Sequence, residues 1–258
     1  VSPGGGAPPA KVGRPCSFAA RPERPGPVST FLPPPAPAGP APPARAGQYV
    51  SVRLLMPDGV HQLRQYSLSS DPGDDLRRIT VKRVAGEAGA PDGEVSNLLF
   101  EQVGTGDELT LSAPFGDVSL DDADTPLVLI SAGIGCTPMA GMLARLAATG
   151  SGRRVLVLHA DTSPDDHALR AEVRETVDRL PDAEAVFWYE RPGAEEPGAR
   201  TGLMDLTGID VPADSTVYLC GPLPFMRAVR GQVLKAGVPP RRVHYEVFGP
   251  DLWLPEAA

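Results

Sequence analysis

Cysteine is scarce in this chain, with three residues in 258 and no CxxC spacing between them. They are Cys16, Cys136 and Cys220. The chain therefore cannot complete a four-cysteine zinc or iron–sulfur site. The scarcity is typical of a reducing compartment, so we expect a cytoplasmic protein. The four histidines share no metal-ligand spacing, and we predict no metal site.

Long apolar runs and an excess of positive charge are also lacking. No run approaches the ~20 residues that a membrane span needs, and residues 1–15 contain no apolar stretch of the kind found in signal peptides. We therefore expect no membrane association. The 24 basic residues against 32 acidic ones give a net charge of −8. This charge argues against a nucleic acid as partner.

Proline is abundant but uneven, because residues 1–44 hold 14 of the 31 prolines. Fixed φ angles and missing N–H groups disfavour regular structure. We therefore predict that residues 1–30 form a Pro/Gly-rich linker. The alternative is that "CSFAA" and "VSTFL" are short or edge strands that open a barrel, and the sequence leaves both interpretations open.

The segment 47–117 has the pattern of an antiparallel β domain. Runs such as "GQYVSVRLLM" and "RRITVKRV" alternate apolar and polar residues between turns. A helix, "EVSNLLFEQ", interrupts them, and Ser96 or Asn97 is expected to cap it. We predict a six-stranded antiparallel barrel over residues 31–120, because closure removes exposed strand edges.

Strands and helices alternate in the rest of the chain. "PLVLISAG" is a near-continuous apolar run, typical of a strand buried on both faces. Helices follow at "TPMAGMLARLAATG", capped by Thr137, and at "SPDDHALRAEVRETVDRL", capped by Ser163. We predict a doubly wound parallel sheet of five strands over residues 121–258. The boundary is expected in the acidic loop near residues 118–125.

The turn "SAGIGCTPM" joins the first parallel strand to its helix. Gly133 and Gly135 would let backbone N–H groups approach a ligand, and the helix N-terminus supplies free donors and a positive dipole end. These features predict a pyrophosphate site. The alternative is a tight turn whose glycines serve packing only, and Pro138 replaces the third glycine of the usual dinucleotide motif.

Two later strands, in "YLCGPLPFM" and "HYEVFGP", should end at the same crevice of the sheet. Cys220 and Gly221 are expected opposite the glycine turn, with Pro222 fixing the loop. Glu246 and Phe248 point to the same side of their strand, which indicates a role beyond packing. The alternatives are a small buried residue for Cys220, core packing for Phe248 and an exposed carboxylate for Glu246.

The strand "RQYSLSS", residues 64–70, carries a cation, an amide, a phenol and three hydroxyls where a strand usually keeps apolar residues. It is one of five motifs that occur in order: RxYS, GxxSN, GIGxTPM, CGPxPFM and a terminal YEVFGP. With them the chain resembles the ferredoxin-NADP reductase superfamily, and within it the reductase part of flavohaemoglobin, the nitric oxide dioxygenase. The resemblance covers roughly residues 45–250. It implies an FAD-binding barrel, an NAD(P)-binding α/β domain and an NAD(P)H-dependent flavin oxidoreductase.

By this resemblance the polar strand binds FAD. Arg64 is implied to pair with the flavin pyrophosphate, Tyr66 to lie along the isoalloxazine and ribityl, and Ser67 to donate a hydrogen bond near N5. Tyr49 and Gln65 are implied to flank them. The helix N-terminus implied to hold the FAD diphosphate comprises Gly93, Val95, Ser96 and Asn97.

The resemblance also assigns the nucleotide site and the catalytic residues. The NAD(P)H pyrophosphate is implied to bind at Gly133, Ile134, Gly135, Cys136, Thr137, Pro138 and Met139. Further cofactor contacts are implied at Cys220, Gly221, Pro222, Val247, Phe248, Gly249 and Pro250. Phe248 is expected to cover the flavin face that nicotinamide must reach, and Glu246 to tune the redox chemistry. The predicted catalytic residues are Ser67, Cys220, Glu246 and Phe248. Asp161, after the second parallel strand, favours NADH over NADPH.

The expected reaction is hydride transfer from NADH or NADPH to FAD, followed by one-electron release to a haem or iron–sulfur protein, with a globin favoured. Eight globin helices would need about 90 residues, and only 44 proline-rich residues precede the barrel. We therefore expect neither haem nor an iron–sulfur cluster in this chain, and no nitric oxide dioxygenation by it alone. The alternatives are the reductase component of an oxygenase and a non-catalytic flavin- or nucleotide-binding regulatory module.

Overall fold

The computed structural model describes residues 15–17, 19–22, 28–32, 43–86, 91–104, 107–191 and 198–248. The predicted cofactor contacts Gly249 and Pro250 lie outside these residues. None of the helices in the described ranges is both long enough and apolar enough to cross a bilayer.

The first part of the chain forms two antiparallel sheets. Its strands are β1 (Pro15–Ser17), β2 (Ala19–Pro22), β3 (Val28–Leu32), β4 (Tyr49–Leu55), β5 (His61–Ser67), β6 (Ile79–Lys82) and β7 (Glu108–Leu111). One sheet has the order β1-β7-β4-β5 and the other the order β2-β3-β6. A bridge between Leu68 and Ile79 joins the two sheets beyond the end of β5. Helix α1 (Glu94–Gln102) connects β6 to β7.

The alternation read from the sequence builds this domain's core. Val50, Val52 and Leu54 of β4 are buried, while the residues between them are partly exposed. They pack with Leu99 of α1 and Leu109 of β7 in one apolar cluster. The antiparallel β domain is therefore confirmed, although the described residues form seven short strands in two sheets where we predicted one six-stranded barrel.

The linker prediction is corrected for β1, β2 and the first residues of β3, which fall within residues 1–30. β1 pairs with β7, and β2 pairs with β3. The prolines do not prevent this pairing because Pro15 and Pro22 stand at strand ends, where a missing N–H group is tolerated. These residues therefore form short strands, as the alternative interpretation expected, within two sheets.

The second part of the chain is a parallel sheet covered on both faces. Its strands are β8 (Leu127–Ala132), β9 (Val155–Asp161), β10 (Ala183–Tyr189), β11 (Arg200–Thr201), β12 (Thr216–Cys220) and β13 (Val243–Glu246), in the order β11-β10-β9-β8-β12-β13. Its helices are α2 (Cys136–Ala148), α3 (Arg170–Arg179) and α4 (Leu223–Lys235). One apolar cluster contains α2 and α3, and a second contains α4. The doubly wound sheet is confirmed, and the two-residue β11 adds a sixth strand to the five predicted.

The predicted helix caps are wrong in each case. Gly93 and Gly135 occupy the N-cap positions of α1 and α2, without a side-chain cap. Helix α3 begins seven residues after Ser163, behind Leu169, whose φ of 59° is left-handed. Ser163 Oγ donates to Asp166 Oδ2 (2.6 Å) instead of capping α3. Local hydrogen bonds of this kind compete with capping and draw polar side chains elsewhere.

Candidate active site

The order of the parallel sheet creates a crevice between β8 and β12. The chain leaves β8 toward β9 on one side, and β12 lies on the other, so the carboxyl ends of β8 and β12 flank the switch point where α/β sheets bind ligands. Cys220 at the end of β12 pairs with Ser131 of β8 and with Glu246 of β13. The glycine turn and the end of β13 therefore meet at this crevice, as predicted.

The two glycines of the turn have different roles. A Cβ on Gly135 would lie 2.4 Å from the carbonyl oxygen of Cys220, so this glycine is required for packing against β12. Gly133 has a left-handed φ of 53°, and a Cβ there would meet no atom within 4 Å. Open space therefore lies above Gly133. The packing interpretation of the turn holds for Gly135, and the pyrophosphate site at Gly133 stays a prediction that this space permits.

The start of α2 is more buried than its predicted role suggested. Thr137 is 2% exposed, and its hydroxyl donates to the carbonyl of Ile134 (3.0 Å). The Cys136 thiol donates to the carbonyl of Ala168 (3.5 Å). Met139 belongs to the core cluster beneath the helix. We correct Met139 from a cofactor contact to a core residue, because the apolar stripe of α2 packs on the sheet.

Ser67 and Glu246 face each other from the two halves of the chain. Burial raises the pKa of Glu246 to about 7, and the nearby Ser67 hydroxyl limits this rise. Among the described residues, neither Ser67 Oγ nor Glu246 Oε2 completes a hydrogen bond of ordinary geometry, although both atoms are buried. Buried polar atoms usually have partners, and those without one are frequent at functional sites. A ligand with polar atoms in this crevice would satisfy both.

Cys220 is fully buried beneath this pair. Burial, followed by the charge of Glu246, raises the pKa of its thiol well above the ordinary value. A neutral, inaccessible thiol cannot act as a nucleophile. The catalytic assignment of Cys220 is therefore corrected to the alternative reading, a small buried residue at a strand end.

Tyr49 extends the site along β4. It pairs with Ser67 in the sheet, and its ring packs against Phe115 with centroids 4.3 Å apart. Gln65 Nε2 donates to Tyr49 Oη (3.3 Å). Burial, followed by the negative charge of Glu246, raises the pKa of Tyr49. The structure thus brings together Tyr49, Gln65, Ser67 and Glu246.

The polar strand β5 is an edge strand, which explains its composition. Within the described part of the chain, its outer side is paired only at the bridge between Leu68 and Ile79. Arg64 and Tyr66 share a face with Val52 and Val50, while Gln65 and Ser67 lie on the opposite face. Polar groups therefore line both faces and the free edge of one strand. Such an edge offers backbone and side-chain hydrogen bonds to a long polar ligand.

The N-terminus of α1 lies next to this edge. Gln62 accepts a hydrogen bond from Arg64 Nη2 (2.8 Å) and donates to Glu94 (2.5 Å), so it joins β5 to the first helical turn. The backbone N–H groups of this turn have no side-chain cap and suit a diphosphate.

The side chains of the first turn of α1 fix the turn itself. Ser96 Oγ and Asn97 Nδ2 both donate to the carbonyl of Gly93 at 2.9 Å. A Cβ on Gly93 would lie 2.6 Å from Ser96 Oγ. Val95 is buried in the β-domain core. Of the four predicted residues, Gly93, Ser96 and Asn97 therefore shape the turn, and Val95 anchors it.

Phe248 follows β13 and keeps 43% of its surface exposed. An exposed aromatic ring two residues beyond Glu246 can cover a flat ligand and move aside. Val247 packs against the core cluster of α4, and Pro222 stands at the N-cap of that helix beside Gly221.

Sequence reasoning missed a buried polar cluster behind the glycine turn. His159 Nδ1 lies 2.9 Å from Ser131 Oγ, and the His159 ring stacks on His167 at 3.7 Å. His159 Nε2 lies 3.4 Å from Asp161 Oδ2. Burial lowers the pKa of both histidines, which are therefore neutral at pH 7. The spacing between Ser131 and His159 in the sequence gave no signal for this contact.

Comparison with known proteins places this geometry in a family. Residues 129–231 match the model of the oxidoreductase NAD-binding domain. The chain is similar to the crystal structure of the flavohem-like FAD/NAD-binding domain of nitric oxide dioxygenase from Vibrio cholerae. The TM-score is 0.83, the identity is 34%, and the match covers 93% of this chain and 100% of that one. The chain belongs to this family of flavohemoprotein reductase domains. It is an NAD(P)H-dependent flavin oxidoreductase.

Whole flavohemoproteins are longer than this chain. The flavohemoprotein of Chromobacterium violaceum is 45% identical over 231 residues, which are 86% of this chain and 57% of that protein. A crystal structure of Malassezia yamatoensis flavohemoglobin, with bound FAD and heme, has a TM-score of 0.80 and 31% identity over 92% of this chain and 60% of its own length. The chain thus spans a little over half of these relatives.

Proposed function

We propose that this chain uses NADH to reduce bound FAD and delivers the electrons one at a time to the haem of a globin. FAD supplies the chemistry, since it accepts a hydride from nicotinamide and releases its two electrons separately. The observation that carries the proposal is the meeting of Ser67 and Glu246. Two buried polar atoms that complete no ordinary hydrogen bond among the described residues, one from each domain, face the crevice beside a strand edge that those residues leave unpaired.

The residues along β5 would hold the flavin. Arg64 would bind the diphosphate together with the N-terminal amides of α1, because a guanidinium and helix-end N–H groups both favour phosphate oxygens. Tyr66 would lie against the ring system as a neutral phenol, since burial raises its pKa to about 12. Ser67 would donate its free hydroxyl to the flavin ring, and Tyr49 and Gln65 would flank the ring on the same face of the sheet.

The crevice at the ends of β8 and β12 would hold the dinucleotide. Gly133 and the start of α2 would receive the pyrophosphate, with the open space at Gly133 giving the approach. Phe248 would cover the flavin until nicotinamide displaces it. Glu246, with a pKa of about 7, would exchange a proton near the reacting atoms.

NADH is the proposed donor because of the acid at the end of β9. Asp161 Oδ1 accepts the N–H of Thr162 (2.8 Å) and Oδ2 lies 3.4 Å from His159 Nε2, so the carboxyl group is held just below the surface at the strand end, with its side chain 3% exposed. In doubly wound sheets this position receives the adenosine ribose, and a carboxylate there disfavours a 2′-phosphate. The globin acceptor is proposed from the relatives, several of which are flavohemoproteins.

Reconstitution with FAD followed by anaerobic titration tests this function. We expect NADH to bleach the visible flavin absorbance at lower concentration and faster than NADPH. The reduced protein should then reduce a ferric globin faster than a [2Fe–2S] ferredoxin. A chain that takes up no flavin, or whose flavin NADH does not bleach, would contradict the proposal. Preferential reduction of the ferredoxin would instead indicate service to an oxygenase.

A further inference from the structure

The two domains meet directly beside the proposed site of hydride transfer. A Cβ on Gly141 of α2 would lie 2.5 Å from the carbonyl oxygen of Leu68, so the helix backbone contacts the residue that follows Ser67. A Cβ on Gly47, at the start of β4, would lie 2.5 Å from Met142 of the same helix. The position of α2 therefore sets where Ser67 stands relative to the parallel sheet.

A charged pair also joins the two domains at this junction. Arg78, which precedes β6, contacts both carboxylate oxygens of Glu172 in α3 through Nη1 and Nη2. The same guanidinium also binds the segment that follows β5. Its Nε donates to Ser69 Oγ (3.1 Å), and its Nη2 donates to the carbonyl of Ser69. One side chain thus binds α3 of the nucleotide domain and the residue two positions after Ser67.

This pair differs from an ordinary surface ion pair. The Arg78 and Glu172 side chains are 14% and 38% exposed, whereas those of the Arg154–Asp210 pair, which lies within one domain, are 46% and 82% exposed. Exposed pairs contribute little to stability because water screens them. A two-pronged guanidinium–carboxylate contact also fixes orientation, which a point charge does not. The geometry is suited to hold two domains at one angle.

The angle between the two domains matters because the reacting groups come from different domains. The flavin-side residue Ser67 belongs to the β domain, and Glu246 and the nucleotide crevice belong to the parallel sheet. Hydride transfer needs the reacting atoms at near-contact distance, and a displacement of about 1 Å can cost about 100-fold in rate. A small rotation at the junction would separate nicotinamide from flavin without removing any group that binds either one.

We propose that Arg78 and Glu172 are positioning residues that set the distance between nicotinamide and flavin. This inference rests on the proposed function of the same site. Neither residue lies among those proposed to touch a cofactor, so their loss should affect the hydride step more than cofactor binding. Arg78→Lys should be intermediate, because lysine keeps the charge but not the two-pronged contact.

Anaerobic stopped-flow reduction of the FAD-loaded protein tests the inference. For Arg78→Gln and Glu172→Gln we expect the limiting rate of flavin reduction to fall about 10-fold or more. The NADH concentration at half-maximal rate and the FAD content should stay within about twofold of wild type, because the binding groups remain. The double variant should be no slower than the slower single variant, since each residue acts through the other. Arg154→Gln, which breaks the exposed pair within one domain, should reduce its flavin at the wild-type rate.

Two results would overturn the inference: an unchanged limiting rate in both single variants, or losses that multiply in the double variant. If Arg78→Gln fails to fold or to keep FAD, Glu172→Gln decides, because it alters only the nucleotide domain. A wild-type chain whose flavin is never bleached overturns the proposed function and this inference with it. Normal wild-type reduction with unaffected variants overturns this inference alone.

Discussion

Gly135 packs against the carbonyl group of Cys220 with no room for a side chain. Because the obstacle is the backbone of a buried strand, a methyl group there must push the turn away from β12. We expect Gly135→Ala to lower the free energy of unfolding by about 1–3 kcal/mol, the usual cost of overpacking, and to weaken NADH binding. Urea unfolding and an NADH titration measure the two effects.

Gly231 provides the matched control. It lies within α4, and a Cβ there meets no atom within 4 Å. Gly231→Ala should therefore raise the free energy of unfolding by about 0.5–1 kcal/mol through helix propensity. Equal stability changes in the two variants would refute the packing role of Gly135.

The carboxyl group of Glu246 should make stability depend on pH. Its folded-state pKa of about 7 lies above the ordinary value of 4.5, so the folded chain holds this proton more tightly than the unfolded chain. The charged form of this carboxyl group therefore destabilises the folded chain. The destabilisation is absent below about pH 4.5, grows as the pH rises to 7 and is complete above it. We expect Glu246→Gln to stabilise the FAD-free protein at pH 8, by at most about 3 kcal/mol, and by less than about 1 kcal/mol at pH 5.

Urea unfolding at the two pH values checks this expectation. Glu175→Gln, which alters an exposed carboxylate on α3, is the control and should show no such difference. In the FAD-loaded protein, an inflection near pH 7 in the rate of flavin reduction should disappear in Glu246→Gln. An inflection that persists in this variant would assign it to another group.

Ser67 should matter only when flavin is bound. Its hydroxyl is buried, makes no hydrogen bond of ordinary geometry within the described residues and stabilises only the charged form of Glu246, so at pH 5 Ser67→Ala should leave the FAD-free protein as stable as wild type or more stable. With FAD, the variant should lose about 1 kcal/mol of the stabilisation that the cofactor gives and should reduce its flavin more slowly. Thermal unfolding with and without FAD measures the difference.

Ser215 is the control for Ser67, because its hydroxyl is also buried without a partner but lies in the nucleotide domain before β12. Ser215→Ala should change stability equally with and without FAD. A similar response from both serines would show that the Ser67 hydroxyl makes no contact with the flavin.

Arg64 should affect flavin affinity rather than folding. Its guanidinium contacts Gln62 and the carbonyl of Leu63 in an exposed position, so Arg64→Ala should leave stability nearly unchanged. A lost charge-assisted hydrogen bond costs about 1.5–3 kcal/mol, which is about 10- to 100-fold in the dissociation constant of FAD. Arg53→Ala, on the opposite face of the sheet beside Leu63, should bind FAD normally. Fluorescence titration of the FAD-free variants checks both.

Local sequence patterns predicted those helices and strands whose structure depends mainly on their own residues. The spacing of apolar residues was enough to predict both β8, which is a near-continuous apolar run, and β4, which alternates apolar and polar residues. The start of α3 could not be predicted, because a left-handed Leu169 and the contact of His167 with Tyr189 (2.8 Å) override the capping signal at Ser163. The strand at Pro15 depends on β7, which lies far along the chain, and the strand at Pro22 pairs with the neighbouring β3; composition reports neither pairing.

The motifs predicted which segments meet at the crevice, but they did not predict the contacts that individual side chains make. Cys220 and Met139 carry the right residue types and lie at the right strand and helix ends, and only burial shows that they belong to the core. Arg78 and Glu172 stand 94 residues apart, and no periodicity links them. Contacts between domains form where the surfaces of two folded domains meet. A pattern within one segment of the sequence does not predict them.

Within the described part of the chain, one side of β5 has no strand partner, and this bears on the fate of the protein before it acquires its prosthetic group. Unpaired N–H and C=O groups on a strand edge are a template on which another copy can add a strand. Flavin seated there would mask that row. Flavin supply during biosynthesis should therefore govern how much of the chain escapes aggregation, as well as how much becomes active.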